Sequence, residues 1–290
     1  MPELPEVETI RIQLSDLIVG LKISDIKILH PKSFIGDKKL ALKSKITGVR
    51  RFGKMLVIDL EDNYSLAVHL KMTGNLLFHS DGSCRDNSLD LPVLDLPNKH
   101  TRVILEFESG DKLFFNDIRK FGWMKVVQTQ NHSSKLKTFN LKDLISKLGP
   151  DPLNELTLQQ FRQILKQSGR PIKLLLMDQQ KLAGVGNIYA NDALFLAKIH
   201  PKTSSMSISR DKAKFLYSNL LKVLKEGLKW KGASKTNFVD IFGRKGSKQE
   251  HFYVYGREKE TCPNQCGGKI ERMILGGRGT FYCRKCQSLK

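Results

Sequence analysis

The chain of 290 residues holds 49 lysines and arginines against 29 aspartates and glutamates, a net charge of +20. Such a field suits a polyanionic partner, with nucleic acid ahead of an anionic membrane surface. No run of 18 apolar residues occurs, which excludes a transmembrane helix, and the early Glu3 and Glu6 with no apolar stretch behind them argue against a signal peptide.

At 40% hydrophobic residues the chain is expected to bury one large core or two to three modest ones. The spacing of Val7, Ile10, Leu14, Leu17 and Ile18 predicts a first helix over residues 5–19, stopped by Gly20. Strands are predicted over 22–29, 46–51, 54–60, 65–71 and 102–107. The last of these alternates Val103, Leu105 and Phe107 inward, turns at Ser109-Gly110-Asp111 and returns over 112–116. A further strand is predicted over 123–128, and residues 79–100 read as a long polar loop in which Cys84 is an incidental thiol.

Residues 130–137 read as a linker, and the pattern then turns helical. Gly149-Pro150-Asp151-Pro152 forms a rigid turn, and Thr157 caps a helix whose Leu158, Phe161, Ile164 and Leu165 share a face. A helix is expected over 171–177, a break at 181–187 and a resumption over 188–197. Ser209 is expected to cap a long helix carrying Leu216, Leu220, Val223 and Leu224. Residues 231–260 read as a glycine- and lysine-bearing connection. The expected fold is a multidomain α+β chain: an N-terminal helix plus antiparallel β-sandwich over 1–130, a helical domain over 138–230, and a linker with a C-terminal cysteine hairpin over 231–290.

Chemistry enters at the first residues. Pro2 is small enough that removal of Met1 is expected, which leaves a secondary amine. An α-amino group with a pKa near 8 is about one-tenth neutral at neutral pH. A neutral amine can attack an electrophilic sugar or carbonyl carbon and form a Schiff base. Glu3 and Glu6 stand close enough to move protons and to stabilise an iminium. Proline and glutamate are equally ordinary first-turn helix residues, so this start alone leaves both readings open.

Three other stretches carry similar alternatives. Gly184-Val185-Gly186-Asn187 ahead of a helix either cradles a phosphate or simply turns the chain. Arg119 and Phe121, two positions apart in a loop, either probe a duplex by wedging and replacing an extruded partner or form a solvated turn. Lys54, after Arg50-Arg51-Phe52-Gly53, is a phosphate ligand or a surface lysine, while His69 and Met72 end a strand near a turn.

Four of the five cysteines lie in the last 29 residues: Cys262, Cys266, Cys283 and Cys286. Sixteen residues separate the pairs, the spacing of a four-thiolate zinc ribbon with two knuckles at the ends of a hairpin. Four thiolates close the tetrahedron, so the one Zn2+ expected is structural. The intervening Gly276-Gly277-Arg278-Gly279 turn can aim Arg278 at a phosphate.

Taken together, these residues resemble the formamidopyrimidine-DNA glycosylases, bacterial enzymes that excise oxidised purines. The resemblance rests on residues 1–9, Arg51-Phe52-Gly53-Lys54, His69-Leu70-Lys71-Met72-Thr73-Gly74, and Asn116-Asp117-Ile118-Arg119-Lys120-Phe121-Gly122. It continues through residues 148–153, 184–190, 254–257 and 277–283, and so covers essentially the whole chain. It implies that Pro2 is the nucleophile at C1′ and Glu3 the acid/base group, and that Lys54, Asn187 and Arg278 hold phosphates. It further implies that Met72, Arg119 and Phe121 fill the gap left by a flipped nucleotide. Glu6 is implied as a helper, His69 as a DNA contact and Lys173 as a lysine near the lesion. The middle domain corresponds to the family's helix–two-turns–helix module. The implied partner is double-stranded DNA containing oxidised bases or abasic sites, bound by a monomer in the bacterial cytoplasm.

Several positions depart from the family pattern. The first cysteine pair is C-x3-C rather than C-x2-C, Arg284 stands for a proline, and Lys120 stands for a commoner arginine. The stretch 238–249, which covers the lesion base in the family, is basic through Arg244, Lys245 and Lys248. Two alternatives accompany the favoured reading: an endonuclease VIII-like glycosylase for oxidised pyrimidines, and a non-enzymatic zinc protein that binds nucleic acid. Leu4 and the Arg-Lys-Phe loop argue against the first, and an intact Pro2-Glu3 start argues against the second.

Overall fold

The computed structural model describes residues 1–81, 95–129, 139–235 and 237–289. The Cys84 and 130–137 expectations, and most of the 79–100 loop, lie outside those residues. The chain forms two compact units, one from 1–146 with 230–247 and the other from 147–229 with 248–290.

The first unit opens with α1 (Leu4–Ile18), whose Val7, Ile10, Leu14 and Ile18 are fully buried. Gly20, at φ +92°, ends it in a conformation that favours glycine. Strands β1 (Ile23–Ile28), β2 (Phe34–Ile35), β3 (Ile46–Phe52), β4 (Met55–Leu60), β5 (Tyr64–His69), β6 (Gly74–His79), β7 (Thr101–Phe107), β8 (Lys112–Asp117), β9 (Trp123–Gln128) and β10 (Phe139–Asn140) follow, then the short α2 (Leu141–Ile145). They form two sheets, ordered β1-β7-β8-β6 and β10-β9-β5-β4-β3, with β2 also paired to β9. One core cluster joins both inner faces, from Ile26, Leu76, Leu105 and Phe115 to Val49, Ile58, Val68 and Val126, so the unit is a β-sandwich.

The predicted strands match β1, β3–β5 and β7–β9 to within one or two residues at most ends. Strand β6 lies outside the predicted set, because Leu76-Leu77-Phe78 presents three successive apolar residues and no alternation. It pairs in register with β8, Leu76 opposite Phe115 and Phe78 opposite Leu113. The two-residue strands β2 and β10 and the five-residue α2 are too short to carry a period.

Residues 231–247, the first part of the 231–260 stretch read as a connection, fall with Trp230 in the sandwich unit. The reason is apolar: Phe238 and Ile241 enter the sandwich core, and Phe78 N–H donates to Ile241 O at 2.8 Å. Asn75 and Gln13 add side-chain hydrogen bonds to Asn237 and Asp240.

The second unit contains α3 (Leu158–Lys166), α4 (Ile172–Leu176), α5 (Asn187–Leu196), α6 (Arg210–Lys229) and the hairpin β11 (Ile270–Leu275) and β12 (Arg278–Cys283). Thr157 caps α3 in a reciprocal capping box with Gln160. The helical and cysteine segments fall in one compact unit. Phe195 of α5 shares a core with Val254, Ile270, Cys262 and Cys283. Asp192, fully buried on α5, accepts the backbone N–H groups of Tyr253, Val254 and Tyr255 at 3.0–3.2 Å.

Candidate active site

The amino end of α1 is built on buried acids. Pro2 is buried, and Glu3 and Glu6 are 4% and 1% exposed. Glu3 stands at the cap position with extended backbone, and its N–H donates to Glu6 Oε2 at 2.7 Å. Glu6 Oε1 accepts the N–H of Ala233 at 2.8 Å. Gly232 lies at φ +84°, and a Cβ there would sit 2.8 Å from both Glu6 Cγ and Phe238 Cε1. The Glu6 carboxylate therefore joins the chain start to the 230–247 segment.

Lys54, 7% exposed, shares with Gly53 the two-residue turn between β3 and β4. Arg51 fixes this turn: its Nη1 donates to Gly53 O at 3.1 Å and its Nε to Glu8 Oε2 of α1 at 2.6 Å. His69, opposite Met55 and Trp123, ends β5. Its Nδ1 accepts Lys71 N–H at 3.0 Å, and burial, helped by the Lys71 and Lys54 ammonium groups, pushes its imidazole down to about 4. His69 is therefore neutral at pH 7, with its proton on Nε2.

The residues implied as gap fillers sit on two joined loops. Met72 is half-buried on the turn between β5 and β6. Its neighbour Thr73 donates its hydroxyl to Asp117 Oδ1, and Arg119 N–H donates to Thr73 Oγ1 at 3.0 Å. Asp117 Oδ2 accepts Gly122 N–H at 2.7 Å. A Cβ at Gly122 would meet Phe115 Cζ at 2.7 Å. On this braced loop the Arg119 guanidinium lies 5.0 Å from the Phe121 ring centroid, and Phe121 is 56% exposed. Sequence reading named Arg119 and Phe121 and missed Asp117; an aspartate flanked by turn residues was its only signal.

In the second unit, Gly184 (φ +89°) and Gly186 lead into α5 at Asn187. Gln179 braces that turn, accepting Gly184 N–H and donating to Val185 O. Three side chains then hold β12. Asn187 Nδ2 donates to Gly279 O at 3.0 Å, and Asn191 Oδ1 accepts Phe281 N–H at 2.8 Å. Lys173, fully buried, donates to Gly279 O and to Thr280 Oγ1 at 2.6 Å. Arg278 opens β12, exposed, after the Gly276-Gly277 turn at φ +57° and +69°.

The four cysteine sulfurs all lie within 4.8 Å of one another. Cys262 and Cys286 are 3.7 Å apart, and Cys266 and Cys283 are 3.5 Å apart. Zinc–sulfur bonds of about 2.3 Å in a tetrahedron place sulfurs about 3.8 Å apart, so the residues fit one structural Zn2+. Gln265, at φ +51°, absorbs the additional residue of the C-x3-C pair while its N–H bonds Cys262 O at 2.9 Å. Gly268 leaves room for the sulfurs: a Cβ there would lie 3.0 Å from Cys283 Sγ.

Three family models match in order. Residues 1–124 match the formamidopyrimidine-DNA glycosylase N-terminal domain, 148–239 its H2TH domain, and 259–289 the zinc finger found in FPG and IleRS. The chain belongs to the formamidopyrimidine-DNA glycosylase family. It is 38% identical to the formamidopyrimidine-DNA glycosylase of Pelotomaculum thermopropionicum and 34% identical to that of Ligilactobacillus salivarius, over the whole of all three chains. The crystal structure of the MutM (Fpg) protein of Thermus thermophilus superposes with a TM-score of 0.83 at 36% identity, covering all of both chains. A Lactococcus lactis Fpg mutant in complex with Fapy-dG-containing DNA gives a TM-score of 0.83 at 30% identity, over 99% of this chain and 100% of that one. The chain is accordingly a DNA glycosylase, with one structural zinc in its finger.

The basic 238–249 stretch of this family member is partly neutralised. Arg244 Nε donates to the buried Asp240 carboxylate at 2.9 Å. Lys248 is fully buried, donating to Glu226 Oε2 at 2.9 Å and to His251 O at 3.2 Å.

Proposed function

We propose that this glycosylase removes oxidised purines, 8-oxoguanine and formamidopyrimidines, from duplex DNA through a Schiff base on Pro2, and cleaves the strand by β,δ-elimination. The observation that carries this reading is the paired-acid start of α1. Pro2 is buried next to Glu3, and Glu6 clamps the Glu3 backbone, so an amine at Pro2 would be held in one place.

In this reading the neutral Pro2 nitrogen bonds to C1′ of the damaged nucleotide. Glu3 supplies the proton that opens the sugar as the base leaves, and the nitrogen lone pair completes an iminium. The iminium acidifies the C2′ hydrogen. Its removal expels the 3′ phosphate, a second elimination expels the 5′ phosphate, and hydrolysis returns the free amine. Lys54, Asn187 and Arg278 hold phosphates. Met72, Arg119 and Phe121 occupy the gap, and His69 offers a neutral Nε2–H donor. Lys173 acts through the hairpin that carries Arg278, and Glu6 acts by positioning Glu3.

A second reading takes oxidised pyrimidines as substrates, since wild-type Lactococcus lactis Fpg has been solved with oxidised-pyrimidine-containing DNA. Borohydride trapping separates the two. Duplexes carrying 8-oxoguanine opposite cytosine, or an oxidised pyrimidine, are offered to the protein and to a Pro2→Gly variant. The purine reading requires an adduct on the first duplex that weakens in the variant. Trapping mainly on the second duplex would overturn it, as would Met1 retention shown by mass spectrometry.

A further inference from the structure

A cavity of about 350 Å³ opens between α3 and the start of α6, among residues that the repair reading does not use. Its floor is apolar: Leu165, Ile208 and Ala213 are 1–2% exposed. Its rim is cationic, formed by Arg162, Lys166 and Arg210. Helix α3, Leu-Gln-Gln-Phe-Arg-Gln-Ile-Leu-Lys, contains no acidic residue to neutralise that rim. Lys166 Nζ is tied to Met206 O at 2.7 Å, and the Met206 side chain beyond it is 50% exposed.

Arg162 is half-buried in the cavity wall. Arg162 Nε is shielded from solvent and has no hydrogen-bond partner among the described residues. Bare phosphate would satisfy the rim but would gain nothing from Leu165, Ile208 and Ala213. A duplex presents phosphates and no apolar side chain for the floor.

We infer that this cavity docks an acidic protein segment, in which an aliphatic or aromatic side chain fills the Leu165–Ile208–Ala213 floor while flanking carboxylates meet Arg162, Lys166 and Arg210. The volume sits at the small end of ligand pockets, which suits one anchoring side chain rather than a whole folded partner. The mode is that of an acidic, apolar peptide laid in a helix-lined groove.

The test is fluorescence anisotropy with a labelled octapeptide of alternating glutamate and leucine or phenylalanine, added to the full zinc-loaded protein. Binding in the micromolar range is expected, at least tenfold weaker for Arg162→Glu and for the exposed-rim variant Lys166→Glu. It should be unchanged for Lys225→Glu, farther along α6. Thermal unfolding of each variant verifies that it folds, and DNA incision by the variants should stay within twofold of the parent. Undamaged duplex in excess should leave the peptide bound. Three results overturn the inference: no peptide binding, equal binding of an all-glutamate octapeptide, or displacement by duplex DNA or by inorganic phosphate at equal ionic strength. The last two outcomes would mean general polyanion attraction or a small-anion site.

Discussion

Glu6 Oε1 accepts the backbone N–H of Ala233 at 2.8 Å, across 227 positions of sequence. The same carboxylate accepts Glu3 N–H through its other oxygen, so one buried group sets both the chain start and the return segment. Glu6→Gln keeps the shape but turns an NH2 toward one of these donors. The expected cost is about 1–3 kcal/mol, read as a fall in Tm of several degrees for the first unit. Borohydride trapping should slow by at least tenfold while duplex affinity changes less than twofold. Gly232→Ala should act alike, because its Cβ meets Glu6 and Phe238 at 2.8 Å and φ stays at +84°. An unchanged Tm in both variants would refute the coupling.

Asp117 plays the same part for the loops that face solvent. It is 1% exposed and receives Thr73, Arg119 and Gly122 at once. Asp117→Asn replaces one acceptor oxygen by a donor and loosens Met72, Arg119 and Phe121 together. We expect about tenfold weaker binding to lesion-bearing duplex, about 1.4 kcal/mol, with little change for undamaged duplex. Equal loss on both duplexes would assign Asp117 to general folding instead.

These two carboxylates show where sequence reading reached and where it stopped. Long periodic elements were legible because their apolar residues recur at a fixed step: α1 through Val7, Ile10 and Leu14, and β7 through Val103, Leu105 and Phe107. The cysteine pairs and the order of the short motifs were legible because their spacing is itself the signal. The segment 230–247 was not, since the groups that hold Ala233, Asp240 and Ile241 lie in β6 and α1, far away in sequence. Residue type was also a poor guide to exposure: Lys173 and Lys248 read as cations for DNA or solvent, and both are fully buried. A lysine whose ammonium is shared among carbonyl, hydroxyl or carboxylate groups of its own fold leaves no trace in composition.

His69 gives a pH prediction. Burial, with the Lys71 and Lys54 charges, lowers its imidazole from 6.5 to about 4. Between these values the unfolded chain binds a proton that the folded chain refuses. The stabilising contribution is therefore complete above pH 6.5 and is lost as pH falls toward 4, by about 3 kcal/mol in total. Urea midpoints of the parent and of His69→Gln, followed from pH 7.5 to 4.5, should converge as the pH drops. Parallel curves would show that another group governs acid lability.

The last prediction concerns the hairpin that presents Arg278. Its supports include the four thiolates at one end and, beside Asn187 and Asn191, Lys173 bonded to Gly279 O and Thr280 Oγ1 along β12. Removal of zinc takes away the cross-link of the small module. Lys173→Met removes a buried charge and takes the donor from Thr280 Oγ1, at about 1–3 kcal/mol, while Gly279 O keeps the Asn187 amide. If the two supports act on the same strand, chelated parent protein and zinc-loaded Lys173→Met should both lose DNA affinity by at least tenfold. Arg278→Ala should add little to either loss, because the contact it removes is already misplaced. Metal analysis should give one zinc per chain in the parent and in Lys173→Met, and far less after chelation. Full additivity of Arg278→Ala with Lys173→Met would mean that Lys173 supports the fold without setting the position of Arg278.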